Sequence, residues 1–305
     1  MQLKNIAIVG AGGNVGKAIV PLLLADGSFH VTALTRGSYQ PADPRITVTV
    51  VDYDSATSLT AAVQNQDAVL SLVPGGQAKW APQKLLIDAA VAAGVKLFLP
   101  SEFVANIMTP QYAVFPPSYV GDKVELRKYL MGLAAEGKIC WTALNGGPFF
   151  DMWLLGGPAG FDLAARKATI YGTGNNLTCW TPLPLIATAL LNMLRAPDAI
   201  VNRPVFVCGV RDLTQNAILE ALEAELGEKF SVEHADIKKM KAEALELLEK
   251  GEIKQAMRGL TLSGQFNEEG SAANFWHLVE NELVGVEPVS VREAVRMTLD
   301  AAEIK

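Results

Sequence analysis

Cysteine and histidine are both scarce in this 305-residue chain. Cys140, Cys179 and Cys208 are odd in number and far apart in sequence, so neither a disulfide framework nor a CxxC metal pair is on offer. All three read as small hydrophobic side chains. His30, His234 and His277 are equally scattered, with no HExxH and no clustered carboxylates around them, and no metal site is expected. Positive charge is not in excess: the formal net charge is -6, with acidic and basic residues interspersed. That leaves no basic stripe for a phosphate backbone, and nucleic acid is not an expected direct partner. Long apolar runs are missing as well. Residues 168–194 carry no charge, but Gly172, Gly174, Pro182 and Pro184 interrupt them, so a bilayer span is not expected. The first residues show no secretory h-region, and the reading is a soluble, cytoplasmic protein. No internal repeat or low-complexity tract is evident.

What is present is an ordinary globular balance, half hydrophobic and 19% charged, with ample apolar material for one large core or two joined ones. Over the first 150 residues, β-rich runs (NIAIVG, HVTALT, ITVTVV, DAVLSLV, VKLFLP, CWTALN) alternate with helical patterns such as KAIVPLLLADG and QKLLIDAAVAAG. The alternation predicts an α/β fold, a doubly wound parallel sheet of the Rossmann type. The runs are continuously apolar rather than alternating, as strands covered on both faces are. Residues 1–150 are therefore expected to form a nucleotide-binding domain. Residues 151–305 are expected to form a smaller, mostly helical substrate part, with residues 181–203 or so packing back on the first domain. A hairpin is expected over ATIYGTGNNLTCW, and helices over 183–195, 214–227, 236–258 and after Ser290, where SVRE forms a capping box.

Gly10, Gly13 and Gly16 are spaced GxxGxxG, with Gly12 extra, between the first strand and its helix. In that order one glycine permits a tight turn, one lets the backbone approach a pyrophosphate, and one lets helix pack on strand, while helix-start N–H groups face the anion. Glycine also serves plain turns, but strand, turn and helix together point to a dinucleotide. Arg36 lies at the end of the second strand, 20 residues past Gly16, where NAD-binding chains tend to carry an acid. A guanidinium there suits the 2'-phosphate of NADPH, with Thr35 beside it adding a hydroxyl. Asp52, after the third strand, could meet the adenine amine or serve the turn before the next helix.

Tyr119 and Lys123 form a YxxxK pair that shares one helix face. A nearby ammonium makes a phenol a better proton donor to a carbonyl oxygen, so Tyr119 is expected to be the immediate acid, with Lys123 holding the nicotinamide ribose and supporting proton transfer. The competing reading is a charged face turned to water. Ser101, in LPSEF, falls at the carboxyl edge of the sheet and could orient the substrate oxygen. Trp80, Trp153, Trp180 and Trp276, with Phe149 and Phe150, are candidates for an aromatic-accepting pocket or for core.

With these residues in view, the chain resembles the isoflavone-reductase-like and NmrA-like branch of the atypical short-chain dehydrogenases. The resemblance runs from about residue 4 to about residue 240. It is carried by the turn at Gly10, ALTR ending in Arg36, VKLFLPSEF, Lys123 with Arg127 in KVELRKYL, and WTALNGGPFF. It implies an NADPH-dependent reductase acting on a carbonyl or a conjugated aromatic or phenolic small molecule, or alternatively a non-catalytic NADP(H)-binding redox sensor or regulator. A homodimer is also compatible with it. The implied cofactor set comprises Gly10, Gly12, Gly13, Asn14, Val15 and Gly16 at the turn, with Thr35 and Arg36. Val73, Ser101 and Glu102 follow at strand ends, and Lys123, Pro148 and Phe149 complete it, with backbone from Asn145 to Phe149 along the nicotinamide. The lysine matching Lys123 is the functional side chain of that family's reductases. Those plant reductases usually have threonine where Gly12 stands and generally lack the tyrosine seen as Tyr119, so either ordinary short-chain carbonyl chemistry is retained or Tyr119 is incidental.

Overall fold

The computed structural model describes residues 1–74, 78–110, 112, 122–269 and 272–304. In chain order the first half contains β1 (Asn5–Val9), α1 (Asn14–Asp26), β2 (His30–Thr35), β3 (Thr47–Val50), α2 (Ala56–Ala62), β4 (Ala68–Ser71), α3 (Trp80–Ala92), β5 (Leu97–Leu99), α4 (Asp122–Ala135) and β6 (Cys140–Asn145). The second half contains α5 (Phe150–Gly156), β7 (Phe161–Asp162), β8 (Lys167–Tyr171), α6 (Leu183–Arg195), β9 (Arg203–Phe206), α7 (Gln215–Leu226), β10 (Ser231–Ala235), α8 (Ile237–Glu249), α9 (Ile253–Phe266) and α10 (Val291–Ala301).

One sheet runs β3-β2-β1-β4-β5-β6-β9, and every pairing in it is parallel. This is the α/β, Rossmann-type doubly wound sheet expected from the alternating pattern. Strand β1 displays the reason for its continuous apolar run. Ile6 and Ile8 enter the core formed with α1 and α6 through Ile19, Leu23, Ile186 and Leu190. Ala7 and Val9 enter the opposite core with Leu59, Leu86, Leu126 and Leu130 from α2, α3 and α4. Side chains of a strand alternate between faces, so a strand covered on both sides needs apolar residues at every position. Strands β4 and β5 are buried throughout for the same reason. The chain reverses its winding between β1 and β4, and a crevice opens beyond the strands' carboxyl ends at such a switch point.

The rest of the second half packs around Phe150, Leu154, Phe161, Ile170, Trp180, Leu222 and Phe266, with Val295 from α10. The expected hairpin over 168–180 is absent. Gly172 and Gly174 turn the chain at φ +64° and +74°, after which the N–H groups of Thr178 and Cys179 are taken by Leu213 O and Ala273 O. Strand β8 instead pairs in parallel with β10 and antiparallel with the two-residue β7. The helical stretch expected over 236–258 is two helices, because Gly251 adopts φ +77° between α8 and α9. Ser290 caps α10 as the SVRE motif predicts, its hydroxyl accepting the Glu293 N–H at 3.2 Å.

Candidate active site

The glycine turn follows β1 directly. Gly10 sits at φ +89°, and a Cβ there would stand 2.7 Å from Leu72 O of the neighbouring strand end. At Gly16 a Cβ would collide with the carbonyl oxygens of Gly10 and Ala11, so glycine alone lets α1 pack so closely on the turn. Gly13 N–H closes the turn onto Gly10 O at 2.9 Å, and Gly13 then starts α1 without any side-chain cap. The first amides of α1 are thus left to whatever lies in front of them, a fit to a pyrophosphate that a capping side chain would spoil.

In front of the turn lies a cleft of about 950 Å³ whose walls include Gly12, Thr35, Arg36, Tyr39, Asp52 and Tyr53. Arg36 is exposed and forms no ion pair among the described residues. Thr35 Oγ1 accepts the Gly37 N–H at 3.1 Å and so fixes the backbone on both sides of Arg36. A Cβ on Gly12 would come within 3.1 Å of the Tyr39 ring, so that aromatic side chain leaves little room for a larger residue there. Asp52 lines the cleft with one carboxylate oxygen already accepting the Asp54 N–H at 3.0 Å. Tyr53 donates to Leu34 O at 3.0 Å, and burial pushes its phenol up to about 12, so it stays protonated.

Through shared walls at Gly13, Val73 and Pro74, the cleft adjoins a second cavity of about 400 Å³. Lys123 lies in its wall, only 8% exposed, and its ammonium donates to Glu102 O at 2.8 Å. Burial pulls the Lys123 pKa down to about 8, a fall that the Glu102 carboxylate partly offsets. That carboxylate is itself 1% exposed and held by a buried network. Arg127, 3% exposed, donates to both Glu102 oxygens, through Nε at 3.0 Å and through Nη2. Asn145 Nδ2 donates to Glu102 Oε1 at 2.7 Å and to the carbonyls of Val104 and Ala105 at 3.2 Å each. The network therefore pins residues 102–105, including Phe103 at φ +36°, a conformation that costs a non-glycine residue about 1–3 kcal/mol. So held, the Phe103 ring faces Phe149 across 6.3 Å at 52°, and both line the cavity.

The remaining expected residues fall as follows. Asn14 and Val15, from the first turn of α1, line the cavity, and Asn14 Nδ2 contacts Met152 Sδ at 3.3 Å. Val73 lines both spaces, and Ser101 donates its hydroxyl proton to Val73 O at 2.5 Å, tying two strand ends together. Pro148 and Phe149 line the cavity, with Pro148 O accepting the Thr181 N–H at 3.1 Å. Of the six aromatic candidates, Trp153 and Phe149 line the cavity, Phe150 and Trp180 are fully buried core, and Trp80 and Trp276 are exposed elsewhere. Tyr119 lies outside the described residues. The sequence reading did not single out Phe103, Thr261 or Gln265 as cavity walls. Phe103 had a signal in its place within LPSEF, whereas α9 carries no motif. Among the described residues, no group of three or more His, Cys, Asp or Glu could hold a metal, and no helix is long and apolar enough to cross a membrane.

Comparison with known proteins agrees with this architecture. The NmrA-like family model matches residues 2–140. The oxidoreductase aprR of Aspergillus flavus is 36% identical over 255 residues, covering 83% of this chain and 84% of that protein. In fold, the chain is similar to leucoanthocyanidin reductase of Vitis vinifera in its complex with NADPH, with a TM-score of 0.75, 19% identity, and coverage of 97% of this chain and 99% of that one. It is similar also to AtPrR2 with NADP+ and (+)pinoresinol, with a TM-score of 0.74, 22% identity, and coverage of 98% and 99%. On the glycine turn, the sheet order and this likeness, the chain belongs to the NmrA-like family.

Proposed function

We propose that the protein is an NADPH-dependent reductase that delivers hydride to a carbonyl or conjugated aromatic acceptor. The observation that carries the reading is the junction of the two spaces. A cleft over an uncapped helix start, with an unpaired arginine at its rim, opens at Gly13, Val73 and Pro74 into an aromatic-walled cavity holding a buried lysine. The oxidoreductase name of the Aspergillus flavus relative supports the reaction class, and the NADPH and NADP+ held by the structural relatives support the coenzyme.

When bound, NADPH supplies the hydride. The chain's own groups do the rest. The amides at the start of α1 meet the diphosphate and Arg36 meets the 2'-phosphate. Phe103, Phe149 and Trp153 exclude water and offer flat apolar faces to an aromatic ring. Lys123, with its pKa drawn close to neutrality, gives a proton to the substrate oxygen as the C=O π bond breaks, and regains one from solvent. The aromatic-walled cavity beside Lys123 favours turnover over pure sensing of the coenzyme, which requires no substrate space.

Purified protein is expected to oxidise NADPH in the presence of aromatic ketones or enones, followed at the nicotinamide absorbance. Binding of NADPH with no oxidation across a broad acceptor panel would favour the sensor. Arg36→Ala is expected to weaken NADPH about tenfold while leaving NADH unchanged, since the lost bonds are charge-assisted but solvent-exposed. Calorimetric Kd values for the two coenzymes check this, and an unchanged preference would remove Arg36 from the role.

A further inference from the structure

The cavity has a polar group on the side formed by α9, in an orientation that its neighbours dictate. Gln265 lines the cavity and is 8% exposed. Its side-chain carbonyl oxygen accepts the indole N–H of Trp180 at 3.1 Å. An indole nitrogen only donates, so the amide must turn its oxygen toward Trp180. Trp180 cannot yield, because it is fully buried and packed edge-on against Trp153 at 5.1 Å and Phe266 at 5.9 Å. The amide nitrogen is left with two donors that have no partner among the described residues, yet it is not among the sealed polar atoms of the interior. Thr261, one helical turn earlier, lines the same wall, and Gly264 between them adds no side chain to crowd it.

We propose that Gln265 is a substrate-recognition residue, its amide N–H groups forming a donor subsite that selects aromatic carbonyl compounds bearing a second oxygen acceptor, such as another carbonyl. The inference rests on the reading of this cavity as the reductase's substrate site. A buried donor left unpaired costs free energy, so a ligand without that oxygen binds less well even when its shape is the same. The tryptophan behind the amide keeps it from flipping to present an acceptor instead. The subsite thereby discriminates by chemistry, where the aromatic walls discriminate only by shape.

The test uses the protein's NADP+ complex, in which a ketone binds without being reduced, and two ligands of matched shape, 4-acetylbenzophenone and 4-isopropylbenzophenone. Wild type is expected to bind the acetyl compound about tenfold more tightly by calorimetry. Gln265→Leu is expected to bring the two affinities together. Gln265→Glu keeps an acceptor for the Trp180 N–H but replaces the free donors with a second acceptor, and it is expected to prefer the isopropyl compound. An unchanged ratio in both variants, or an equal loss of both ligands, overturns the inference and leaves the reductase reading standing. Failure of wild type to bind either ligand overturns both.

Discussion

Replacing Lys123 with alanine is expected to lower kcat for NADPH-dependent reduction by about 10²- to 10⁴-fold, the range for loss of a positioned proton donor, while the chain still folds. Folding should survive because the deleted ammonium is buried and desolvated, so relief of its burial cost offsets the loss of its hydrogen bond to Glu102 O and of its attraction to the Glu102 carboxylate. Lys123→Arg sharpens the test, because a guanidinium keeps the charge but gives up no proton near neutral pH. It should be nearly as inactive as alanine. If Tyr119 were the donor instead, Tyr119→Phe would lose as much as Lys123→Ala. With Lys123 donating, it should stay within a few-fold of wild type.

The same group sets the pH dependence. Its folded pKa of about 8 lies below the ordinary lysine value of 10.5, so it is protonated in both folded and unfolded chains below about pH 8. Between about 8 and 10.5 the folded chain binds fewer protons than the unfolded one. The penalty for burying the charge is therefore complete below about 8 and is relieved as pH rises toward 10.5. Activity runs the other way, since the donor is lost over that interval. Turnover at saturating coenzyme should fall as pH rises through about 8, and a profile flat to pH 10 would exclude Lys123 as the proton source.

Arg127→Leu is expected to be the most damaging single change to stability, costing about 3–5 kcal/mol. It strips the Glu102 carboxylate of its bonded guanidinium partner in the interior beside Asn145, leaving only the attraction of the nearby Lys123 ammonium to offset the lost hydration. Removing both charges as Glu102→Leu with Arg127→Leu should cost less than the sum of the single changes, because no unpaired ion remains. Urea unfolding of the four proteins measures the coupling directly. Strict additivity would mean that the pair does not act as a unit. The single variants should also lose turnover, since the network fixes the Glu102 carbonyl to which Lys123 is bound and the strained backbone of Phe103.

Some of this was legible in the letters, for reasons that are local. The turn from Gly10 to Gly16 can be read because only glycine tolerates those contacts. The β1 run can be read because a strand between two helical layers has no polar face. Other features depend on contacts that sequence spacing does not encode. LPSEF, KVELR and ALNGG display Glu102, Arg127 and Asn145, but nothing in the letters tells that all three are buried together rather than solvated. LPSEF places a Ser101 hydroxyl at a strand end, but nothing in the letters tells that it donates to Val73 O. Gln265 reaches the cavity because α9 is laid across it, and a glutamine on an amphipathic helix carries no mark of that. Gly172 and Gly174 suggest a hairpin equally well as the turn they make, and the choice falls to β10, which arrives later to pair with β8.

The reading depends above all on a coenzyme seated between the glycine turn and Arg36. Titration calorimetry of the 305-residue protein with NADPH, repeated with NADH, addresses that directly. One binding event per chain for NADPH, about tenfold or more tighter than for NADH, is the expected result. Heat from neither nucleotide, in protein that still unfolds cooperatively, would contradict it.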